Sequence, residues 1–241
     1  MEHWEYLKPG GLRFVWEDAL FRPGTDSFLL SSLPRLSAGL RVCDLGCGTG
    51  LLGLLLLQRQ PDLRVTGIDI QAPAISLAEQ AAAENRLVDR LTFRCADLRH
   101  VRQYFPTGSF DLAVSNPPYY VPVSGKVSQD AARCTARSES EATLADICAA
   151  AAYLLRWGGK FCLVHKPERL TDLLCTLRAH RLEPKRIRLV RHHAGADANL
   201  VLIAARRGGK PGVMLEPELL LFTPDGQETT DYRRIYHHQE D

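Results

Sequence analysis

The segment Asn116-Pro117-Pro118-Tyr119 carries the residue types in this chain that are best suited to chemistry, and it directly follows an apolar stretch, 110–115. Consecutive prolines fix two φ angles and remove two backbone donors, and a residue before proline is pushed out of the helical region. The result is a stiff, extended turn. It can hold a planar NH₂ group, because the Asn116 side-chain oxygen and the Pro117 carbonyl accept two hydrogens while Tyr119 stacks on the group. The same motif also fits an ordinary proline-rich loop.

A glycine-rich turn lies upstream of this motif. Asp44 ends an apolar stretch, and Gly46, Gly48 and Gly50 follow it in the pattern D-x-G-x-G-x-G. Glycines let a backbone turn sharply and approach a ligand closely. The spacing differs from that of dinucleotide sites, and the lysine of a phosphate loop is missing. An acid at this point would repel a pyrophosphate, so the turn suits a cationic ligand that carries an ammonium or sulfonium group.

Two further acids follow the next apolar stretches. Asp69 is placed to accept hydrogen bonds from ribose hydroxyls, and Ile70 beside it can cover the face of an adenine. Asp97 can accept a hydrogen bond from an adenine amino group. Each acid alone also fits a helix cap or a loop. Three acids at successive strand ends predict a pocket for a nucleoside joined to a cation, which points to S-adenosylmethionine.

The elements that must position these residues alternate along the chain. Strands are predicted over 40–45, 64–69, 91–95, 110–115, 160–165, 186–190 and 200–206, and helices over 26–36, 51–60, 73–85, 98–104, 144–155 and 167–180. This alternation predicts an α/β fold with a doubly wound, mostly parallel seven-stranded sheet and an antiparallel edge strand.

The chain divides into three predicted parts. Residues 1–39 form an N-terminal extension with a capping helix, 40–207 form the main domain, and 208–241 form an extension packed on the same domain. The polar segment 121–141 is a candidate active-site loop.

Composition points to a globular protein with a sizeable core, since 45% of the 241 residues are hydrophobic and 24% are charged. The N-terminus lacks a secretory pattern, and the longest apolar run, 51–57, is too short to cross a bilayer. Cys43 and Cys47 lack the second ligand pair of a zinc site, and His192 and His193 point to opposite faces of a strand. We therefore expect a cytoplasmic protein with free thiols, no bound metal and no membrane association.

Positive charge is concentrated in one segment. Residues 156–210 hold thirteen Lys and Arg against four Asp and Glu, although the net charge of the chain is only +2. Such asymmetry fits a surface that meets phosphates, and it fits equally well a set of solvated helix and strand faces.

The chain resembles the class I S-adenosylmethionine-dependent methyltransferases, among them the amino methyltransferases whose fourth strand ends in [N/D/S]PP[Y/F/W]. The resemblance narrows to the bacterial tRNA1(Val) adenine-37 N6-methyltransferases and covers nearly the whole chain. It rests on TDSFLL at 25–30, DIQ at 69–71, NPPYY at 116–120, WGGK at 157–160, HKPERL at 165–170 and LEPKRI at 182–187. Asp69 stands where that family would have glutamate, and either carboxylate can serve a ribose.

The resemblance implies a Rossmann-like fold, S-adenosylmethionine as cofactor with S-adenosylhomocysteine as product, and RNA, in particular tRNA, as partner. It implies that Asp26 holds the methionine ammonium, although Asp26 also fits the N-cap of its helix. Lys126, Arg133 and Arg137 are candidate phosphate contacts that fit solvated surface charges as well. The oligomeric state is left open.

Other activities share the chemistry of a planar amine. Protein glutamine N5-methyltransferases generally carry an N-terminal helical substrate domain, and only 43 residues precede Asp44. DNA adenine methyltransferases need a target-recognition region. A small-molecule N-methyltransferase stays open, because the basic segment can be incidental. A catalytically silent subunit would not need an amide at Asn116.

Overall fold

The structure is a computed structural model, and it describes residues 1–18, 20, 24–119 and 142–236. The candidate loop 121–141, with Lys126, Arg133 and Arg137, lies outside the described residues. None of the helices within the described ranges has the length and apolar character needed to cross a membrane.

The N-terminal extension contains an antiparallel hairpin that the sequence pattern did not predict, formed by β1 (Glu2–Tyr6) and β2 (Arg13–Glu17). Phe14, Val15 and Trp16 are all buried, so β2 lacks the alternating pattern that marks a half-buried strand. Helix α1 follows over Thr25–Ser32 and ends two residues before Pro34, earlier than the predicted 36. Gly24 is its N-cap residue, without a side-chain cap, so the capping role considered for Asp26 is not formed.

The central sheet confirms the predicted α/β class. Its main strands are β3 (Arg41–Leu45), β4 (Arg64–Asp69), β5 (Leu91–Cys95), β6 (Phe110–Ser115), β7 (Leu155–His165), β8 (Leu182–Arg191) and β9 (Ala198–Arg207). They lie in the order β8-β9-β7-β6-β3-β4-β5. Strands β3 to β7 are parallel, and β9 is the antiparallel strand, inserted between β7 and β8.

Two short strands add to this sheet beyond the predicted seven. Strands β10 (Met214–Leu215) and β11 (Leu219–Leu220) both pair with β8 in parallel. Two residues carry no detectable period, which explains why they were missed. Leu219, Leu221 and Tyr232 of the C-terminal segment are buried in the same core cluster as residues of the main helices.

Helices cover both faces of the sheet. They are α2 (Leu51–Arg59), α3 (Ala72–Glu84), α4 (Leu144–Leu154), α5 (Leu170–Ala179) and α6 (Thr230–Tyr236), with 3-10 turns at Leu98–Gln103 and Pro167–Arg169. Helices α1, α2, α3 and α6 share one core cluster with the hairpin, and α4 and α5 belong to the other. Leu112 and Val114 face the first cluster while Ala113 faces the second, as the two-residue period of a strand requires.

Strands β7 and β8 are longer than predicted. Each contains an irregularity that interrupts the sequence pattern, so the pattern places the start of the strand too late. The register of β7 against β6 shifts around Gly158 and Gly159, which the sequence pattern treats as a break. The register of β8 shifts at Pro184, in agreement with the confinement of strand prolines to bulges and edges.

Candidate active site

The candidate site lies where the order of the strands reverses, between β3 and β6. In open α/β sheets ligands bind at such switch points, outside the carboxyl ends of the strands. A cavity at this place is lined by Asp44, Gly46, Gly48 and Asn116, together with residues of α1, α2 and α3. Chain segments more than sixty residues apart therefore meet at one cavity.

The glycine-rich turn presents its backbone to this cavity. Gly46 and Gly48 have φ angles of 74° and 51°, in the left-handed region that favours glycine. A Cβ built at either position would meet nothing within 4 Å, so the space beside the backbone is open to a ligand.

Asp44 is buried at the end of β3, with 2% of its surface exposed. Its Oδ2 has no hydrogen-bond partner among the described residues. Burial, with a smaller contribution from the negative charge of Asp69, raises the pKa of Asp44 to about 8. An unpartnered buried carboxylate is costly unless a cation compensates it. A bound cation would favour the ionised form of Asp44, so this position fits the cationic end of a sulfonium cofactor.

Asp69 holds the glycine-rich turn in place. Its Oδ2 accepts a hydrogen bond from the Gly48 N–H at 2.8 Å, and its Oδ1 accepts one from the Gln71 N–H at 2.9 Å. Asp69 does not line the cavity, whereas Gln71 does. Ile70, next to Asp69, is 46% exposed, and its contact with an adenine face stays a prediction. Ribose binding by Asp69 stays a prediction.

Asp97 is engaged by Arg99. Its carboxylate accepts hydrogen bonds from the Arg99 backbone N–H and from the guanidinium, the shortest of them 2.6 Å long. These contacts cap the 3-10 turn, and the hydrogen bonds from the Arg99 side chain hold the pKa of Asp97 below its ordinary value. Asp97 is outside the cavity lining. The structure thus realises the capping alternative, and adenine recognition by Asp97 stays a prediction.

At the end of β6, Asn116 is held from both ends of its amide. Its Nδ2 donates to the Ser27 hydroxyl at 3.1 Å, and its Oδ1 accepts from the Tyr119 hydroxyl at 2.9 Å. The Tyr119 hydroxyl also lies 2.6 Å from Asp26 Oδ2. Helix α1 therefore supplies two partners for the motif, and Ser27 is the one that the sequence reasoning missed, although it belongs to the TDSFLL segment.

The ring of Tyr119 packs against residues that follow β7. Its centroid lies 5.2 Å from the His165 ring in an edge arrangement, and Lys166 Nζ lies 5.2 Å above it. Burial and the hydrogen bond to Asp26 raise the pKa of the Tyr119 phenol far above its ordinary value. Buried His165 accepts a hydrogen bond from the Lys166 N–H at Nδ1, in line with the packing role expected for it. Stacking of Tyr119 on a substrate stays a prediction.

Of the two prolines between Asn116 and Tyr119, Pro117 is buried and Pro118 is exposed. Both peptide bonds are trans. Pro117 therefore anchors the turn against the protein.

The basic segment is partly neutralised by ion pairs. The pairs are Arg156–Asp111, Arg169–Asp172, Arg178–Glu183, Arg186–Glu216, Arg188–Asp231 and Arg191–Glu218. Four of these carboxylates lie outside 156–210, so the sequence count overstates the local charge. Lys166, at the carboxyl end of β7, has no carboxylate partner within the described ranges.

Among the described cysteines, Cys47 lines the cavity beside the glycine-rich turn. The six described cysteines are free, and burial raises the pKa values of Cys43 and Cys47 well above the ordinary range. Across the described ranges, no group of three or more His, Cys, Asp or Glu side chains is arranged to hold a metal ion.

Known proteins share sequence with most of this chain. Residues 15–174 match the family model described as "Methyltransferase small domain". A protein of Aeromonas hydrophila named tRNA1(Val) (adenine(37)-N6)-methyltransferase is 31% identical over 213 residues, covering 88% of this chain and 87% of its own length. A protein of Porphyromonas gingivalis with the same name is 34% identical over 176 residues, covering 70% of this chain and 68% of its own.

Solved structures support the fold. A predicted O-methyltransferase from Agrobacterium tumefaciens superposes with a TM-score of 0.73 at 20% identity, covering 88% of this chain and 95% of its own. A geranyl diphosphate methyltransferase in complex with S-adenosylmethionine has a TM-score of 0.55 at 19% identity, covering 75% of this chain and 83% of its own. At these identities the likeness concerns the fold alone.

Proposed function

Because the chain belongs to the methyltransferase small domain family and, within it, to the tRNA1(Val) (adenine(37)-N6)-methyltransferases, we propose that it methylates N6 of adenine-37 in tRNA1(Val). The observation that carries the proposal is the placement of the Asn116 amide at the edge of a cavity that also contains the buried carboxylate of Asp44.

Asp44, Gly46 and Gly48 are the residues that would hold S-adenosylmethionine. The unpartnered Asp44 oxygen favours a positively charged ligand, and the open space beside both glycines admits close approach. The proposed cofactor set is completed by Asp26 in the first turn of α1, Gly50 at the start of α2, Asp69 and Ile70 at the carboxyl end of β4, and Asp97, which lies outside the cavity lining. When bound, the cofactor supplies an electrophilic methyl group.

Asn116 makes the adenine amine nucleophilic. The lone pair of an aromatic amine is delocalised into the ring, so the free amine is a weak nucleophile. If Asn116 Oδ1 and the Pro117 carbonyl accept its two hydrogens, the nitrogen shifts toward sp³ geometry and its lone pair becomes available. Oδ1 has two lone pairs, and Tyr119 uses one of them. The amine would take the methyl group as its carbon–sulfur bond breaks, which leaves S-adenosylhomocysteine. The methylated nitrogen is then positively charged and would lose one hydrogen to water, so no strong base is needed, and positioning can supply about 7–11 kcal/mol of the barrier reduction.

The proposed partner is RNA, with the target base turned out of its stack to reach the cavity. Extrusion costs a few kcal/mol, and less in a loop than in a duplex. Activity on tRNA fits the cytoplasmic location expected from the free cysteines.

Incubation of the protein with labelled S-adenosylmethionine and separate pools of tRNA, rRNA, DNA and protein tests the substrate class. We expect label in tRNA alone, recovered as N6-methyladenosine after digestion. A tRNA1(Val) transcript with guanosine at position 37 is the matched control and should stay unlabelled. Label in protein alone would overturn the RNA assignment and favour a glutamine N5-methyltransferase.

Asn116→Ala tests the chemistry directly. We expect this variant to bind S-adenosylmethionine as the wild type does, measured by calorimetry, and to lose methyl transfer by at least about 100-fold, as typical for the loss of a transition-state hydrogen bond. Transfer at the wild-type rate would refute the role given to the amide.

A further inference from the structure

Ser27 touches the proposed reaction centre although nothing in the motif chemistry requires it. It lies in the first turn of α1, lines the cavity, and its hydroxyl is 3.1 Å from Asn116 Nδ2. Ser27 and Asn116 are 89 residues apart in the chain. Their contact is therefore a tertiary one that the packing of α1 against the sheet creates.

The orientation of the Asn116 amide decides whether the site can work. An asparagine side chain offers an acceptor at one end and two donors at the other, and the reaction proposed above requires the acceptor end to face the amine. The terminal torsion of asparagine is broad, so the side chain does not choose an orientation by itself. An amide that turned its NH₂ end toward the amine would repel the hydrogens it should accept.

We propose that Ser27 is a positioning residue that holds the nitrogen end of the Asn116 amide and so leaves its oxygen to the substrate. The inference rests on the proposed function, since it assigns Ser27 a part in the same reaction. Ser27 accepts from Nδ2, and the single hydrogen of the Tyr119 hydroxyl is shared between Asp26 Oδ2 at 2.6 Å and Asn116 Oδ1 at 2.9 Å. Asp26 thus acts on the amide through Tyr119, whereas Ser27 acts on it directly.

Ser27→Ala removes the acceptor without removing the helix, because alanine is the best helix former. We expect the single-turnover rate of methyl transfer to tRNA1(Val) transcript to fall about 10- to 100-fold, the range that a small misplacement of a catalytic group can cost. The dissociation constants for S-adenosylmethionine and for tRNA should change less than about two-fold, because the amide would act in the reaction step. Ser27→Thr, which keeps a hydroxyl, should restore most of the rate.

Ser32→Ala is the matched control on the same helix. The Ser32 hydroxyl donates to the Leu29 carbonyl and does not reach Asn116. We expect this variant to transfer methyl at the wild-type rate, so a general disturbance of α1 would be seen as an equal loss in both variants and would overturn the proposal.

Two other outcomes contradict it. An unchanged single-turnover rate in Ser27→Ala would mean that the amide keeps its orientation unaided. A rate loss fully matched by weaker S-adenosylmethionine binding would make Ser27 a cofactor contact instead. If Asn116→Ala is inactive and Ser27→Ala is unaffected, the proposed function stands and only this inference fails; an active Asn116→Ala variant refutes the proposed chemistry itself.

Discussion

Asp44 is the residue whose chemistry depends most on where the fold places it. In an unfolded chain its pKa is near the ordinary 3.8, and in the folded protein burial and Asp69 raise that pKa to about 8. Between pH 3.8 and about pH 8, the Asp44 carboxyl group of the folded protein keeps a proton that it has released in the unfolded chain. The free energy of unfolding therefore falls as the pH rises through this window, and the fall levels off above about pH 8.

The variant Asp44→Asn cannot titrate, so it isolates the part of the pH dependence of stability that comes from Asp44. We predict that its free energy of unfolding rises relative to that of the wild type by about 1.4 kcal/mol per pH unit between about pH 5 and pH 7, and by less as the pH approaches 8. Urea unfolding of both proteins without cofactor, at matched pH values, measures the difference. A difference that does not vary with pH would mean that Asp44 stays charged in the folded protein.

At the scale of elements, the carboxyl ends of β4 and β5 carry two acids that looked equivalent in the sequence. The Asp69 carboxylate binds the backbone of the glycine-rich turn, and the Asp97 carboxylate binds Arg99. The strand ends were predictable, because β4 and β5 have the predicted bounds. The partners of each acid were not, because a spacing along the chain does not say which donor will lie within 3 Å.

Substitution of each acid separates the two roles. We predict that Asp69→Ala raises the dissociation constant for S-adenosylmethionine at least about 10-fold, because the Gly48 N–H loses its acceptor and the turn loosens. Asp97→Ala should raise it by less than about three-fold, because the Asp97 carboxylate binds Arg99 and not the glycine-rich turn. Calorimetric titration measures both constants. Equal weakening in the two variants would restore Asp97 to the cofactor site.

At the scale of the whole molecule, the cations of the basic segment 156–210 lie at different positions along the strands of the sheet. Lys166 follows the carboxyl end of β7 and lies above Tyr119, whereas Lys160 lies in the middle of the strand, six residues earlier. At about 3.3 Å per residue these two cations are about 20 Å apart. Only Lys166 lies at the carboxyl ends of the strands, where Asn116 follows β6.

Lys166 is therefore the better candidate for a contact with an RNA phosphate. We predict that Lys166→Ala weakens tRNA binding several-fold and lowers the slope of log affinity against log salt by about one, the signature of one lost phosphate contact. Lys160→Ala removes the same charge from the middle of β7 and should leave both quantities unchanged. Gel-shift or anisotropy titrations at several salt concentrations compare them, and equal losses would indicate only a general charge effect.

The sequence by itself determined the class of fold and the chemical character of the site. The bounds of β4, β5 and β6 follow from period-two and apolar patterns, and the acid, glycine and NPPY motifs follow from residue types at strand ends. These features are local, so a local pattern can carry them. The hairpin of β1 and β2 escaped because its buried residues do not alternate.

Only the tertiary structure decided which residues act on one another. It joined Ser27 and Asp26 of α1 to Asn116 and Tyr119, and it assigned Asp97 to Arg99. The physical reason is that hydrogen bonds act over about 3 Å in space, whatever the separation along the chain. The amide at Asn116 was visible in the sequence, and the helix that orients it became visible only when the chain was folded.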